Sequence, residues 1–497
     1  MKQGLIKKLF SIETVLIIFI FAGIFFRFYN LAIPLQGDEV IYGIASMKFH
    51  QESYEAGKDY VLEHPPLGKW LVGLPSKFID ANYDTFKLLG KDMFVWAYMG
   101  YDALGKNYVA LRTMVAVGGV LSLILIFLIA RKLFGTTAAL WSTALASLSF
   151  ELVGFSRMIF METPMILFSL LTLYVYLHYL DSSNKKRILY LGLFFISLVA
   201  TLLTRHIQPL FLLPIFAVCQ FALNKNLKEN LYVLLFLGLS YYLVFHIIFP
   251  QDIIGYGGSR FGYSSIFGFF SFKLFDVVMS LLVRNSLLFL ASLCSLGYIG
   301  YKIVNKKQKM ELNPVLIFFI MSAAMFSILS FPLPRHYIFM FIPLYILGGY
   351  ALHYASKNRI LKLGLVALAI VNVGMLAFYS PQFLTYTNFG ISGFESVPNA
   401  YDQFSNLRNR LNALNDTERL VTNDPNLLIF FESQKMPIPP AVEPVCNNAT
   451  ISTLDLDNIT VLYAPHSSKL DFENDPYICP LFKSKLLESS NVRIIEL

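Results

Sequence analysis

Windows of about 18 to 22 nearly uncharged residues, each long enough as a helix to cross a hydrocarbon layer of roughly 30 Å, recur down most of this chain. They fall near residues 13–33, 110–130, 136–153, 159–180, 188–204, 207–223, 231–249, 281–303, 314–331, 337–354 and 360–379. Such segments can satisfy their backbone N–H and C=O groups in lipid only as helices, so the sequence predicts a polytopic α-helical membrane protein with about eleven transmembrane helices. Over the 497 residues, 56% are hydrophobic and only 14% charged, which excludes an ordinary soluble domain.

Orientation follows from the basic residues. With the N-terminus cytoplasmic, the short cytoplasmic loops carry Arg131-Lys132, Lys185-Lys186-Arg187, Lys225 and Lys228, Lys302 to Lys309, and Lys357 to Lys362. Each is basic, as the positive-inside bias requires. The net charge of +8 is then a consequence of topology, and no nucleic-acid partner is needed to account for it. The stretch after Met1–Phe10 lacks a small-x-small cleavage site and reads as a retained first helix in a multi-pass plasma-membrane protein.

An odd number of crossings places residues 380–497 outside, as a small α/β domain of alternating short strands and helices following a membrane domain over 1–379. All three Asn-x-Ser/Thr sites (Asn415, Asn448, Asn458) lie in that tail, as do Cys446 and Cys479, which are free to pair in an oxidising compartment. The first external loop spans 34–106. A further external stretch, "IIGYGGSRFGYSSIFGFF", reads either as a loop covering a site or as an interfacial aromatic belt.

Polar residues interrupt the apolar pattern on the external side. Asp38 and Glu39 in "LQGDEVIYGIASMKFH" are the first acids after the opening apolar run. Asp38 either caps the helix that follows or, shielded from water at the membrane face, gains proton affinity and serves as a general base. In "HPPLGKW" Pro66 suits the first turn of a helix whose apolar face is Leu67, Trp70, Leu71 and Leu74. The N–H groups of that helix start, with Lys69 one turn in, make a seat for a phosphate, unless Lys69 merely snorkels toward headgroups.

Arg157 and Glu162 in "FSRMIFMETP", Arg205, His206 and Gln208 in "TRHIQP", and Arg335, His336 and Tyr337 in "PRHYIF" fall on the same side. Ionisable groups at membrane depth are costly, and three cationic clusters on the external face run against the positive-inside bias. They point to an anionic ligand there. His64, His206 and His336 lie on separate segments without metal-ligand spacing, so the sequence predicts no metal site and requires no cofactor, while leaving room for a divalent cation.

Taken together, Asp38-Glu39, "HPPLGKW", "RMIFMETP" and "TRHIQPLFLLP" resemble the dolichyl-phosphate-mannose protein O-mannosyltransferases and their bacterial relatives that move aminoarabinose onto lipid A. The resemblance implies a GT-C fold and a polyprenyl-phosphate sugar donor, with inverting transfer on the external face to an acceptor hydroxyl. By motif, Asp38 is the base, Glu39 assists it, and His64 and Lys69 lie beside the donor phosphate. Arg157, Glu162, Arg205, His206, Arg335, His336 and Tyr337 complete the binding residues. Glu162 stands where relatives carry Asp. Mannose or another hexose is the expected sugar and Ser/Thr the expected acceptor, with a glycan or lipid acceptor as the alternative. A transporter is the rival class, but the polar residues gather at helix ends and no internal repeat is found.

Overall fold

In the computed structural model the described residues are 11–29, 31, 37–51, 65–78, 107–205, 208–248, 286–305, 315–318, 320–322, 338–379 and three strands at 419–422, 459–463 and 493–496. The helices are α1 (Ile12–Phe28), α2 (Gly37–Gln51), α3 (Pro66–Gly73), α4 (Asn107–Phe134), α5 (Thr136–Ser147), α6 (Phe150–Phe155), α7 (Glu162–Asp181), α8 (Asn184–Leu202), α9 (Leu212–Leu223), α10 (Leu227–Tyr242), α11 (Leu287–Asn305), α12 (Ile338–Ala355) and α13 (Arg359–Tyr379). Short 3₁₀ turns follow α3 and precede α9, and a π-helical turn, Leu243–Ile248, extends α10.

Among the described residues, four helical stretches are long and apolar enough to cross a membrane: Tyr108–Phe134, Glu162–Asp181, Leu227–Ile248 and Arg359–Ala377. Gln208–Leu223 and Leu287–Tyr301 are apolar but shorter. The stretch expected as one span over 136–153 differs. It breaks into α5 and α6 at Leu148 and Ser149, and the Ser149 hydroxyl accepts from the Leu152 N–H to start α6.

The break is stabilised from α1. Arg27, almost fully buried, donates to the carbonyls of Gly23 at 2.8 Å, Ser147 at 3.0 Å and Ala146 at 3.3 Å. Two of these are terminal carbonyls of α5 that its own helix cannot satisfy. Residues 138–147 are buried, so α5 is an interior helix of small side chains. A methyl added at Gly23 would lie 2.3 Å from the Ser147 carbonyl oxygen, and one at Gly349 of α12 would lie 2.1 Å from the Ser142 hydroxyl. Backbones approach this closely only where small residues line both sides.

Antiparallel α7 and α8 form the most extensive helix pair. At one end of the pair, Lys132 pairs with Asp181 and Arg187 with Glu229. A buried chain of amides extends this cluster, with Tyr176 donating to Gln220 and Gln220 to Asn230. These are the helix ends with the basic loops 131–132 and 185–187. Glu162 begins α7 and Arg205 follows α8, so both lie at the opposite end, about 30 Å away at 1.5 Å per residue.

The described strands, β1 (Arg419–Thr422), β2 (Ile459–Tyr463) and β3 (Arg493–Glu496), form a parallel sheet in the order β1-β2-β3. Register pairs Val421 with Val461 and Val461 with Ile494. Each strand coincides with an apolar run of the tail. Parallel neighbours require crossover connections, which lie outside the described residues.

Candidate active site

The eight-residue helix α3 is built from "PLGKWLVG", with Pro66 in its first turn and no side-chain cap. Its inner face is Gly68, Lys69, Val72 and Gly73, all buried, whereas Trp70 is exposed and Leu67, Leu71 and Leu74 are partly exposed. The apolar stripe read from the sequence therefore faces outward and the lysine inward, the reverse of a surface helix in a water-soluble protein.

Three separate motifs meet on that inner face. The Leu67 N–H donates to the Leu203 carbonyl at 3.0 Å. A methyl on Gly68 would lie 2.9 Å from both the Met161 Sδ and the Thr204 carbonyl oxygen. Next in sequence to those two residues, Glu162 and Arg205 form an ion pair with both side chains buried. The "HPPLGK", "METP" and "TRH" segments are thus in direct contact, although more than 130 residues separate the first from the last. One donor of the expected phosphate seat, the Leu67 N–H, is engaged within the fold.

The helix that carries the acid pair joins the same cluster through its second half. A methyl on Gly73 would overlap the Ser46 carbonyl oxygen at 2.0 Å, so α2 and α3 cross backbone to backbone. His50 donates from Nε2 to the Trp70 carbonyl at 2.7 Å. Partial burial lowers the His50 pKa below its ordinary 6.5, the Trp70 bond opposes this, and the Lys77 charge lowers it further. The fully buried Lys69 ammonium lies 5.6 Å from the centre of the Phe49 ring, a cation–π contact.

Asp38 and Glu39 occupy the first turn of α2, and Glu39 is fully buried. The Asp38 side chain lies outside the described residues. Arg157 is buried and donates from Nη2 to the Tyr29 carbonyl at 2.9 Å. His64, His206, Arg335, His336 and Tyr337 lie outside the described residues. Residues the sequence reading did not single out are Gly68 and Gly73, whose lack of a side chain permits the α3 contacts, and Arg112, which donates to the Leu31 carbonyl at 2.8 Å. Arg112 was detectable as a cation at the start of an apolar helix; the glycine contacts had no sequence signal.

Comparison with known proteins bears on the same region. Residues 16–256 match the family model of dolichyl-phosphate-mannose-protein mannosyltransferases. An uncharacterized protein of Aquifex aeolicus (strain VF5) is 28% identical over 316 residues, covering 60% of this chain and 59% of that relative's own length. The crystal structure of ArnT from Cupriavidus metallidurans in the apo state superposes with a TM-score of 0.54 at 14% identity, over 86% of this chain and 90% of ArnT. The same protein bound to undecaprenyl phosphate gives 0.55 at 15% identity, over 90% and 96%. Identities this low show a shared fold. The chain thus bears out the resemblance read from its motifs: residues 16–256 carry the pattern of the dolichyl-phosphate-mannose-protein mannosyltransferase family, on the helical GT-C fold that ArnT also has.

Proposed function

We propose that this protein is a multi-pass membrane glycosyltransferase that moves a sugar from a polyprenyl-phosphate carrier to an acceptor hydroxyl, with inversion. The observation that carries the reading is the meeting of the "HPPLGK", "METP" and "TRH" segments, with Lys69, Glu162 and Arg205 buried at the end of the α7–α8 pair opposite the basic loops. The family match over 16–256 and the binding of undecaprenyl phosphate by ArnT, a protein of the same fold, support a lipid-phosphate donor.

Asp38 takes the proton of the acceptor hydroxyl, whose oxygen attacks the anomeric carbon as the bond from that carbon to the phosphate oxygen breaks. Polyprenyl phosphate leaves as an anion and needs no proton from a general acid, so one base suffices. Glu39 orients Asp38. Lys69, with His64 and the start of α3, receives the phosphate, and Arg157, Arg205 and Arg335 supply further positive charge. Glu162 holds the Arg205 guanidinium in place. His206, His336 and Tyr337 complete the binding surface. No metal is required, although a divalent cation is compatible with a phosphate donor.

The sugar is mannose or another hexose and the acceptor Ser/Thr of proteins, with a glycan or lipid acceptor as the alternative. The membrane domain covers 1–379 and the α/β domain 380–497, placed outside the plasma membrane with a cytoplasmic N-terminus. The test is purified protein in lipid vesicles with polyprenyl-phosphate-linked labelled mannose and a Ser/Thr-rich peptide. The expected result is release of polyprenyl phosphate with label on the peptide. Release without peptide label, but with label on added glycan or lipid, selects the alternative acceptor. No release with any hexosyl donor overturns the reading.

A further inference from the structure

Two buried glutamines lie on the segment that forms α9 and the turn before it. Gln220, near the end of α9, accepts from the Tyr176 hydroxyl and donates to Asn230, so both ends of its amide are engaged. Gln208 opens the 3₁₀ turn, which packs against α8 and α9. It is 3% exposed, and its Oε1 has no donor among the described residues. The buried hydroxyls just before it are satisfied inside the fold: Thr204 donates to the Thr201 carbonyl at 2.6 Å and Thr201 to the Ser197 carbonyl at 2.8 Å. A buried oxygen without a donor is costly, and an apolar side chain of similar length would avoid that cost.

Gln208 stands three residues after Arg205, so the two Cα atoms lie within about 11 Å of each other. Arg205 pairs with Glu162, and the Thr204 carbonyl faces Gly68 of α3, next in sequence to Lys69. The unsatisfied oxygen thus belongs to the end of the α7–α8 pair where the three motifs meet. Hydrogen-bonding capacity decides what it can receive. Lys69 and Arg205 have only donors and suit phosphate oxygens. A carboxamide oxygen only accepts, and the phosphate of a polyprenyl-phosphate sugar, an ionised diester, has no proton to offer it. The sugar on that phosphate has hydroxyls, each able to donate.

We propose that Gln208 is a specificity-determining residue: its Oε1 accepts a hydrogen bond from one hydroxyl of the donor sugar while the cations hold the phosphate. The inference rests on the glycosyltransferase reading and adds to it the group that recognises the sugar itself.

Gln208→Met keeps the side-chain length and removes the oxygen. Full-length protein in lipid vesicles is assayed with the polyprenyl-phosphate hexose that the wild type transfers and with the monodeoxy analogues of that donor. The wild type uses one analogue about tenfold less well by kcat/KM. Gln208→Met uses the parent donor about tenfold less well and no longer distinguishes it from that analogue, while both proteins bind polyprenyl phosphate alone equally. Without donor, the Met variant unfolds at or above the wild-type temperature, because no unsatisfied amide is left buried.

A wild type that uses every analogue as well as the parent overturns the proposal without any variant. A Met variant that still discriminates against the same analogue also overturns it, whatever its overall rate, as does a loss confined to the KM of the acceptor. A Met variant that unfolds well below the wild type, or is not recovered folded, gives Gln208 a structural role and is equally fatal. Should the wild type transfer no hexose from any donor, the glycosyltransferase reading falls and this inference with it; transfer with discrimination retained in the Met variant removes this inference alone.

Discussion

Replacing Gly68 with alanine puts a methyl carbon 2.9 Å from both the Met161 Sδ and the Thr204 carbonyl oxygen, where ordinary contact begins at 3.4 Å. The shortfall is 0.5 Å on two sides (3.4 − 2.9). The Met161 thioether can rotate away, but Thr204 is backbone, and the preceding Leu203 carbonyl already accepts from the Leu67 N–H of the same helix. The helix must therefore shift off the Thr204 backbone. Overpacking of this kind costs about 1–3 kcal/mol, and the better helix propensity of alanine returns up to about 1, leaving a net loss of about 1–2 kcal/mol. Because Lys69 travels with α3, a shift of a few tenths of an ångström also lowers turnover, by about tenfold. The assay is denaturant unfolding in detergent alongside sugar transfer, with Gly192→Ala as the control, since nothing lies within 4 Å of a methyl there. A Gly68→Ala protein as stable and as active as the control would refute the packing of α3 against Thr204.

Glu162→Gln leaves the buried Arg205 without its counter-charge and is expected to lose about 3–5 kcal/mol of stability, with part recovered in the double variant Glu162→Gln/Arg205→Met. Equal stability of single variant and wild type in the same unfolding assay would mean that the pair is not formed. His50 gives a pH signature. Its folded pKa lies below the ordinary 6.5, so its contribution to stability is complete above 6.5 and is lost as pH falls from there toward the folded value. Wild type should lose stability relative to His50→Gln below pH 6.5, and a difference independent of pH from 5 to 8 would contradict the partial burial that depresses the His50 pKa.

Much of the helical pattern was visible because hydropathy reads burial in lipid directly: α4 and α13 coincide with uncharged runs ending in Arg131-Lys132 and starting at Arg359. The division at Leu148 was not visible. α5 is apolar because protein surrounds it, and an interior helix and a lipid-facing one have the same composition. Strands at "RLVT", "ITVLY" and "RIIE" fell on β-branched runs of the tail, where local propensity is informative.

For the site, the sequence marked Lys69, Glu162 and Arg205 as misplaced charges, but it did not pair Glu162 with Arg205, 43 positions apart in the chain. Arg27 and Arg112 were not singled out in the sequence. That each holds backbone carbonyls of another segment, or of a break in another helix, depends on tertiary contacts that no local pattern encodes.

Release of polyprenyl phosphate by the Asp38→Asn protein is the most direct measurement. With Asp38 as the base, the variant folds and binds the labelled polyprenyl-phosphate sugar as the wild type does, while turnover falls by about 10²–10⁴-fold. Turnover at the wild-type rate, with the same donor and the same protein level, would contradict it.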